Sequence, residues 1–315
     1  MKYLSNKNGF LGIDNDVNFK EKVVVVPFGL EKTVSYGGGT RNGPKEIIKA
    51  SHQVELYDEE LHCEPYKKIG IKTLKPFKID KDIKKALKKM SDINQEILDK
   101  KLFPITFGGE HSITPGCIAP FVKKHKKICL LHFDAHADLR KSYEGSSCNH
   151  ACAVYEASQN TNLIQVGIRS IDIKEKSVMN LDKTYFAHDM AIDDSWMDSA
   201  IDQMTDNVFI TFDLDAFDPS ILPSTGTPEP GGLLWYETID FLKQVFAKKN
   251  VIGFDIVELC PNEIDKSSDF LAAKLYYKML SYKFDNADDD DYDDMQGYKE
   301  PNNKSTKFDD DDNDY

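Results

Sequence analysis

No apolar run in this chain approaches the roughly 20 residues that a membrane-spanning helix needs, so the sequence predicts no spanning segment. The opening stretch, MKYLSNKNGF, is polar from its start and predicts no secretory leader. The six cysteines (Cys63, Cys117, Cys129, Cys148, Cys152 and Cys260) form no CxxC pair and no zinc-binding spacing. That pattern excludes a disulfide scaffold and predicts reduced thiols in a cytoplasmic protein. Excess positive charge is missing too. The formal charge of −13 comes mostly from Asp285 to Tyr315, which carries 13 acidic and 3 basic residues, whereas the first 284 residues carry 40 acidic and 37 basic. A nearly neutral body lacks the electrostatic footprint of a nucleic-acid-binding protein. The acidic run has few apolar anchors, repels itself, and is expected to stay solvated and disordered. The chain therefore divides into a body, residues 1–284, and a tail, residues 285–315, with no internal repeat and no Gly/Ser linker in the body.

What is present points to a folded α/β body. Apolar residues make up 40 % and aromatics 11 % of the chain, enough for a sizeable core. Continuous apolar runs at Val23–Pro27, Leu102–Phe107, Ile128–Phe133, Leu163–Ile168, Val208–Phe212 and Val251–Val257 read as strands buried on both faces of a parallel sheet. Weaker strand candidates lie at Gln53–Tyr57 and Thr184–Ala187. Between Asp80 and Lys101, the residues Ile83, Leu87, Met90, Ile97 and Leu98 recur at helical steps with lysines opposite. Pro44 suits the first turn of a helix beginning PKEIIKAS, and Tyr236–Lys248 and Ser268–Tyr282 read as further helices. An open sheet and a closed eight-stranded barrel both satisfy this alternation, and both place chemistry at the carboxyl ends of the strands.

Four of the strand runs end in polar clusters. GGEHS follows the Leu102–Phe107 run, DAHADLR follows Ile128–Phe133, DLDAFDPS follows Val208–Phe212, and Glu258 follows Val251–Val257. Residues two apart on an extended chain share a face, so Asp134, His136 and Asp138 are expected to converge, as are Asp213 and Asp215. Paired carboxylates at buried strand ends need a neutralising cation, and the run FITFDLD contains no Lys or Arg. A single such Asp reads most simply as a helix cap, and His111 alone as a hydrogen-bonded core histidine. Together with Asp134, His136, Asp138, Asp213 and Asp215, His111 instead reads as a ligand set. Asp218, in DPS, reads as a turn former, and Asp255 as structural. Carboxylates with two imidazoles and no thiolate favour Mn²⁺ over structural zinc. Six ligands suit two ions, which can hold a bridging water and supply hydroxide as nucleophile.

In order and spacing, the motifs TRNGPKEI, GGEHS, DAHADLR, NHACA, DLDAFDPS, TGTPEPGG and DIVELCP resemble the ureohydrolase (arginase–agmatinase) superfamily over roughly Val23 to Tyr282. The resemblance implies a three-layer αβα sandwich with a mostly parallel sheet of about eight strands, and so prefers the open sheet. It implies two Mn²⁺ per chain. His111, Asp134, Asp138 and Asp213 would hold one, and His136 and Asp215 would complete the second, with Asp134 and Asp213 shared. It also implies a proton-shuttling role for His150, with Asp138 as its catalytic partner. Glu258 would pair with the substrate guanidinium and Thr227 would help hold it. A homo-oligomer, trimeric or hexameric, is implied as well.

Where arginases carry an asparagine that helps bind the amino acid's carboxylate, this chain has Arg140. The loop RKSYEGSSCN that follows, with HACA, is similar to those of bacterial and archaeal agmatinases. The implied reaction is hydrolysis of agmatine to putrescine and urea, a step of polyamine biosynthesis. N1-aminopropylagmatine, guanidinobutyrate and arginine are the alternative substrates. Arg140 is expected to pair with Glu144 rather than face the ligand, and Cys148 and Cys152 are expected to be bystanders beside His150. A deacetylase-like relative using one zinc, or a non-catalytic metal-binding protein, is disfavoured by the intact ligand set with His150 and Glu258.

Overall fold

Chains of four or more successive apolar residues, rich in valine, isoleucine and phenylalanine, can bury both faces of an extended strand at once. The structure, a computed structural model that describes residues 1–13 and 21–285, uses them in that way. Eight parallel strands form one sheet: β1 (Glu21–Phe28), β2 (Gly70–Thr73), β3 (Phe103–Gly108), β4 (Cys129–Phe133), β5 (Asn162–Ile168), β6 (Thr184–Phe186), β7 (Asn207–Asp213) and β8 (Asn250–Val257). Their spatial order is β2-β1-β3-β8-β7-β4-β5-β6. The helices are α1 (Gly43–Ser51), α2 (Ile83–Asp99), α3 (Thr114–Lys124), α4 (Tyr155–Asn160), α5 (Ala187–Met190), α6 (Trp196–Gln203), α7 (Trp235–Lys248) and α8 (Ser267–Phe284).

Alternation along each strand feeds two separate cores, which makes the fold three-layered. On β1, Val23 and Val25 pack in one core with Ile47 of α1, Phe241 of α7 and Tyr276 of α8. Val24 and Val26 pack in the other with Met90 and Ile97 of α2 and Phe121 of α3. Helix α2 begins where Asp82 accepts the backbone N–H groups of Lys84 and Lys85, and Pro44 sits in the first turn of α1 as its fixed φ allows. Among the described residues no helix is long and apolar enough to cross a membrane. Residues 286–315, on which the expectation of a disordered acidic tail falls, lie outside the described part.

One expectation needs correction. Gln53–Tyr57 is not a strand. Its first residues bond back to Ala50 and Ser51 and unwind the end of α1, and Val54, with Leu56 partly buried, carries it into the core. The strand in that region is β2, whose sequence GIKT holds one large apolar residue and gives no periodic signal. It is legible only as an edge partner of β1.

The central strands β3, β8, β7 and β4 are neighbours, and they are the four whose carboxyl ends carry the polar clusters. The loop after β1 is laced to the loop after β3, with Gly109 N–H donating to Phe28 O (3.1 Å) and Glu110 N–H to Leu30 O (2.8 Å). A Cβ on Gly109 would lie 2.0 Å from Leu30 O, a distance no side chain tolerates. Gly109→Ala is therefore expected to destabilise the fold by about 1–3 kcal/mol through overpacking against backbone, seen in calorimetry as a melting temperature several degrees lower. An unchanged melting temperature would mean that the two loops part freely.

Candidate metal centre

Each functional side chain is delivered by a strand end and then fixed by a local turn. After β3, His111 opens a 3-10 turn that runs into α3. After β7, Asp213 Oδ1 accepts the N–H of Asp215 (2.9 Å) and caps the short turn Leu214–Ala216. After β4, Asp134 Oδ1 accepts the N–H of His136 (2.6 Å), and Asp215 Oδ1 accepts that of Ala135 (3.1 Å). Asp138 sits at φ 49° and Glu258 at φ 65°, left-handed values that non-glycine residues adopt at a cost and that cluster at functional sites. The carboxylates do converge, but by a turn at Asp215 and a left-handed residue at Asp138 rather than by simple strand alternation.

Two foci result. His111 Nδ1 faces Asp134 Oδ2 (3.1 Å), Asp138 Oδ2 (3.1 Å) and Asp213 Oδ2 (3.2 Å). His136 Nδ1 faces Asp215 Oδ2 (3.0 Å) and Asp134 Oδ1 (3.4 Å). Asp134 therefore touches both. All of these groups are buried except His136, which keeps 26 % of its side-chain surface exposed.

The hydrogen bonds around His111 determine which of its nitrogens can bind a cation. Thr211 Oγ1 donates to Asp255 Oδ1 (2.6 Å), so it can only accept from His111 Nε2 (3.0 Å). With the hydrogen on Nε2, the lone pair of Nδ1 points at three carboxylate oxygens, and this buried nitrogen has no hydrogen-bond partner. Burial works against a charged ring, but Asp134, Asp138 and Asp213 outweigh it and raise the His111 pKa well above its ordinary value. Burial likewise opposes charge on His136, yet Asp215 and Asp134 push its pKa up to about 12. Asp213 is itself pushed well above the carboxylate range, by burial first and then by Asp215 and Asp134. These upward shifts share one cause, a deficit of positive charge, which a cation at each focus would satisfy. Hard oxygens with two imidazoles and no thiolate fit Mn²⁺-type chemistry.

His132 also lies against Asp134, with Nε2 2.8 Å from Oδ2, and the trio His111, His132 and Asp134 has ligand-like spacing. The remaining bonds exclude His132 as a ligand. The Gln165 amide nitrogen donates to Ala137 O (2.9 Å) and to His132 Nδ1 (3.0 Å), which places the ring hydrogen on Nε2. His132 is thus a donor that orients Asp134.

The foci open into a cavity of about 280 Å³ lined by His111, His136, Asp138, Asp213, Asp215, Thr227 and Glu258, with Tyr36, Arg140, Tyr143, His150, Asp172 and Glu175 on its walls. Glu258 Oε1 accepts the N–H of His111 (2.6 Å), and burial pushes its carboxyl up to about 8. An approaching guanidinium would restore its charge. His150 is held by Thr33 and Ser35 at the cavity edge.

Other assignments resolve more simply. Asp218 accepts from the N–H groups of Ser220, Gly231 and Gly232 and is a turn former. Asp255 is structural, acting through Thr211. Arg140 pairs with Asp172 (3.6 Å) and stacks on Tyr143 (4.5 Å) rather than meeting Glu144. Glu144 occupies a left-handed position (φ 48°) in the tight Tyr143–Ser146 turn. Burial pushes the Cys152 thiol up to about 11, which leaves it a bystander.

Sequence reasoning missed Thr33, Glu110, His132, Gln165 and Thr211. His132 could have been suspected as a polar residue inside the apolar run ICLLHF, and Glu110 as the neighbour of His111. The threonines carry no signal, because a hydroxyl in a strand or loop looks the same whatever it touches.

The comparisons agree with this geometry. A model of the arginase family matches residues 21–281. An N(1)-aminopropylagmatine ureohydrolase of Synechocystis is 35% identical over 297 residues, covering 89% of this chain and 95% of that protein. An agmatinase of Pyrococcus horikoshii is 32% identical over 263 residues, covering 82% and 90% respectively. The crystal structure of an agmatine ureohydrolase of Thermoplasma volcanium superposes with a TM-score of 0.76 at 28% identity, covering 85% of this chain and 91% of that one.

Proposed function

The chain belongs to the arginase family and is a ureohydrolase of agmatinase type, and on that premise we propose that it hydrolyses the guanidino group of agmatine or of its N1-aminopropyl derivative, releasing urea and the free amine. His111, Asp134, Asp138 and Asp213 would hold one manganese ion and His136 and Asp215 the other, with Asp134 and Asp213 shared. Such a pair supplies Lewis-acid charge and a water whose pKa is lowered towards neutrality.

The rest is the work of the chain's own residues. A guanidinium is a poor electrophile, with its charge spread over three nitrogens and no accessible deprotonation. Glu258 can fix that planar cation by a charge-assisted pair from the cavity wall, and Thr227 lines the same space. Addition of water to the guanidinium carbon leaves a tetrahedral centre. Its C–N bond to the alkyl chain breaks as that nitrogen gains a proton, giving urea and an alkylammonium. Asp138 and His150, both lining the cavity, would move that proton.

The observation that carries this reading is the pair of imidazole nitrogens, each facing buried carboxylates, on the floor of a cavity whose wall bears Glu258. The substrate class follows from charge. With Asp138, Asp213 and Asp215 assigned to the ions, Asp172, Glu175 and Glu258 still line the cavity against one guanidinium, that of Arg140, which is paired with Asp172. Carboxylates in excess favour a substrate with a second cation and disfavour guanidinobutyrate or arginine. A volume at or below the roughly 300 Å³ lower end of small-molecule pockets suits a slender linear molecule.

The manganese-loaded protein is expected to release urea from agmatine or N1-aminopropylagmatine faster than from guanidinobutyrate or arginine. Asp215→Ala should release none and bind fewer than two ions per chain by elemental analysis. Preference for arginine would refute the substrate reading, and two tightly bound ions in Asp215→Ala would refute the ligand assignment. Glu258→Gln is expected to lower kcat/KM by about 10- to 150-fold, the worth of one hydrogen bond to a charged group, with metal content unchanged. Wild-type kcat/KM in that variant would remove Glu258 from substrate recognition.

A further inference from the structure

The proton-moving role given to His150 depends on which ring nitrogen carries the hydrogen, and the loop after β1 determines this. Glu110 is buried at the foot of that loop. Its Oε2 accepts the N–H groups of Lys32 and Thr33 (2.7 Å for Thr33), and its Oε1 accepts the hydroxyls of Ser112 (2.6 Å) and Thr33 (2.8 Å). Four donors occupy the lone-pair directions of the two oxygens, so the carboxylate has only acceptor roles left to play.

The Thr33 hydroxyl has one hydrogen, and Glu110 takes it. What remains on Thr33 Oγ1 is lone pairs. They face the backbone N–H of His150 (3.0 Å), which can only donate, and His150 Nδ1 (3.2 Å). Nδ1 must therefore bear a hydrogen. The neutral ring then has its free lone pair on Nε2, where the exposed Ser35 hydroxyl lies 2.9 Å away and donates. We propose that Thr33, locked by Glu110, is a positioning residue that holds His150 as its Nδ1–H form and so presents a basic Nε2 to the cavity. The inference rests on the shuttle reading of His150. Thr33 touches neither the substrate nor any of the proposed metal ligands, and acts through the ring it orients. A ring free to exchange tautomers would spend part of its time with the lone pair turned away from the reacting nitrogen.

The test uses the full-length, manganese-loaded protein and whichever guanidino compound the parent hydrolyses fastest. Thr33→Val keeps the shape and removes the acceptor, whereas Thr33→Ser keeps the oxygen. Thr33→Val is expected to lower kcat by about 10- to 100-fold, within the range that a positioned acid–base group contributes, with KM and metal content unchanged and a lower melting temperature, because buried Glu110 loses one of its donors. Thr33→Ser should recover most of the rate, and Thr33→Val combined with His150→Asn should be no slower than His150→Asn alone. Equal losses in the Ser and Val variants, or parental kcat in Thr33→Val, would overturn the proposal. Nitrogen-15 spectra of the histidines in metal-free protein give an answer independent of activity. His150 should show the Nδ1–H form in the parent and in Thr33→Ser, and lose it in Thr33→Val. An Nε2–H ring in the parent would also overturn it. If His150→Asn turns over at the parental rate, the shuttle reading fails by itself, and the spectra still decide the tautomer.

Discussion

Four carboxylates and two imidazoles, all buried except His136, meet at the carboxyl ends of β3, β4 and β7 without a lysine or arginine side chain among them. Like charges about 4 Å apart repel by about 4 kcal/mol even at an effective dielectric near 20, so this cluster is the constraint around which the surrounding structure is arranged. Main-chain N–H groups take part of the load, because Asp134, Asp213 and Asp215 each accept one from a neighbouring turn. Arg169, beside Asp215, directs its guanidinium to the carbonyls of Gly167, Asp215, Ala216, Phe217, Glu229 and Pro230 instead. It ties the end of β5 to two loops and makes no hydrogen bond to the carboxylates. A protein that wanted only stability would have replaced this cluster with apolar side chains. The unresolved charge is what makes the site able to take cations.

The same hydrogen-bond pattern appears twice beside the cluster. Asp255 takes the hydroxyl hydrogen of Thr211, which must then accept from His111. Glu110 takes that of Thr33, which must then accept from His150. In both, a buried carboxylate turns a threonine into a pure acceptor, and the threonine decides which nitrogen of an imidazole keeps its lone pair. Gln165 fixes His132 by the opposite means, donating to Nδ1 so that Nε2 donates to Asp134. Two threonines and a glutamine thus set the chemistry of three histidines, the threonines by way of a further buried carboxylate each. Burial makes each bond worth more, and makes a missing one more costly.

These relations explain what could be read from the amino-acid sequence and what could not. The apolar runs announced six of the eight strands because burial on both faces leaves a continuous signature. β6 gave a weaker trace, and β2, on the sheet's edge and only partly buried, was invisible. The metal-binding candidates were legible because acidic residues and histidines rarely gather after apolar runs without a reason. The geometry that joins them was misjudged in part. Spacing by two predicted convergence along an extended chain, whereas Asp215 arrives on a 3-10 turn and Asp138 through a left-handed residue. Thr33 and Thr211 stayed hidden because their role lies in partners more than 70 residues away, Glu110 for Thr33 and His111 for Thr211. Only folding brings those partners within reach.

The cavity is built unevenly, and that bears on how such a site can change its substrate. Its floor is held by bonds between strand ends, and the loop from Glu31 to Arg41 is pinned at both ends. Glu110 anchors the start, and Glu31 accepts from Gly39, Thr40 and Arg41 at the finish. Between those anchors Ser35 is exposed and Tyr36 keeps 87 % of its surface exposed, and across the cavity Ile171 keeps 42 %. Ser35 is tied to His150, but Tyr36 and Ile171 are exposed, and substitutions at these two disturb neither core nor ligands. On the proposed reading, a guanidinium paired with Glu258 would have its reacting carbon fixed, whatever the length of the chain behind it. Discrimination between agmatine and its longer derivative would then fall to the mouth, to residues that contribute little to stability. The rigid floor confines the chemistry to one reaction, and the loosely held rim leaves the choice of amine open to change.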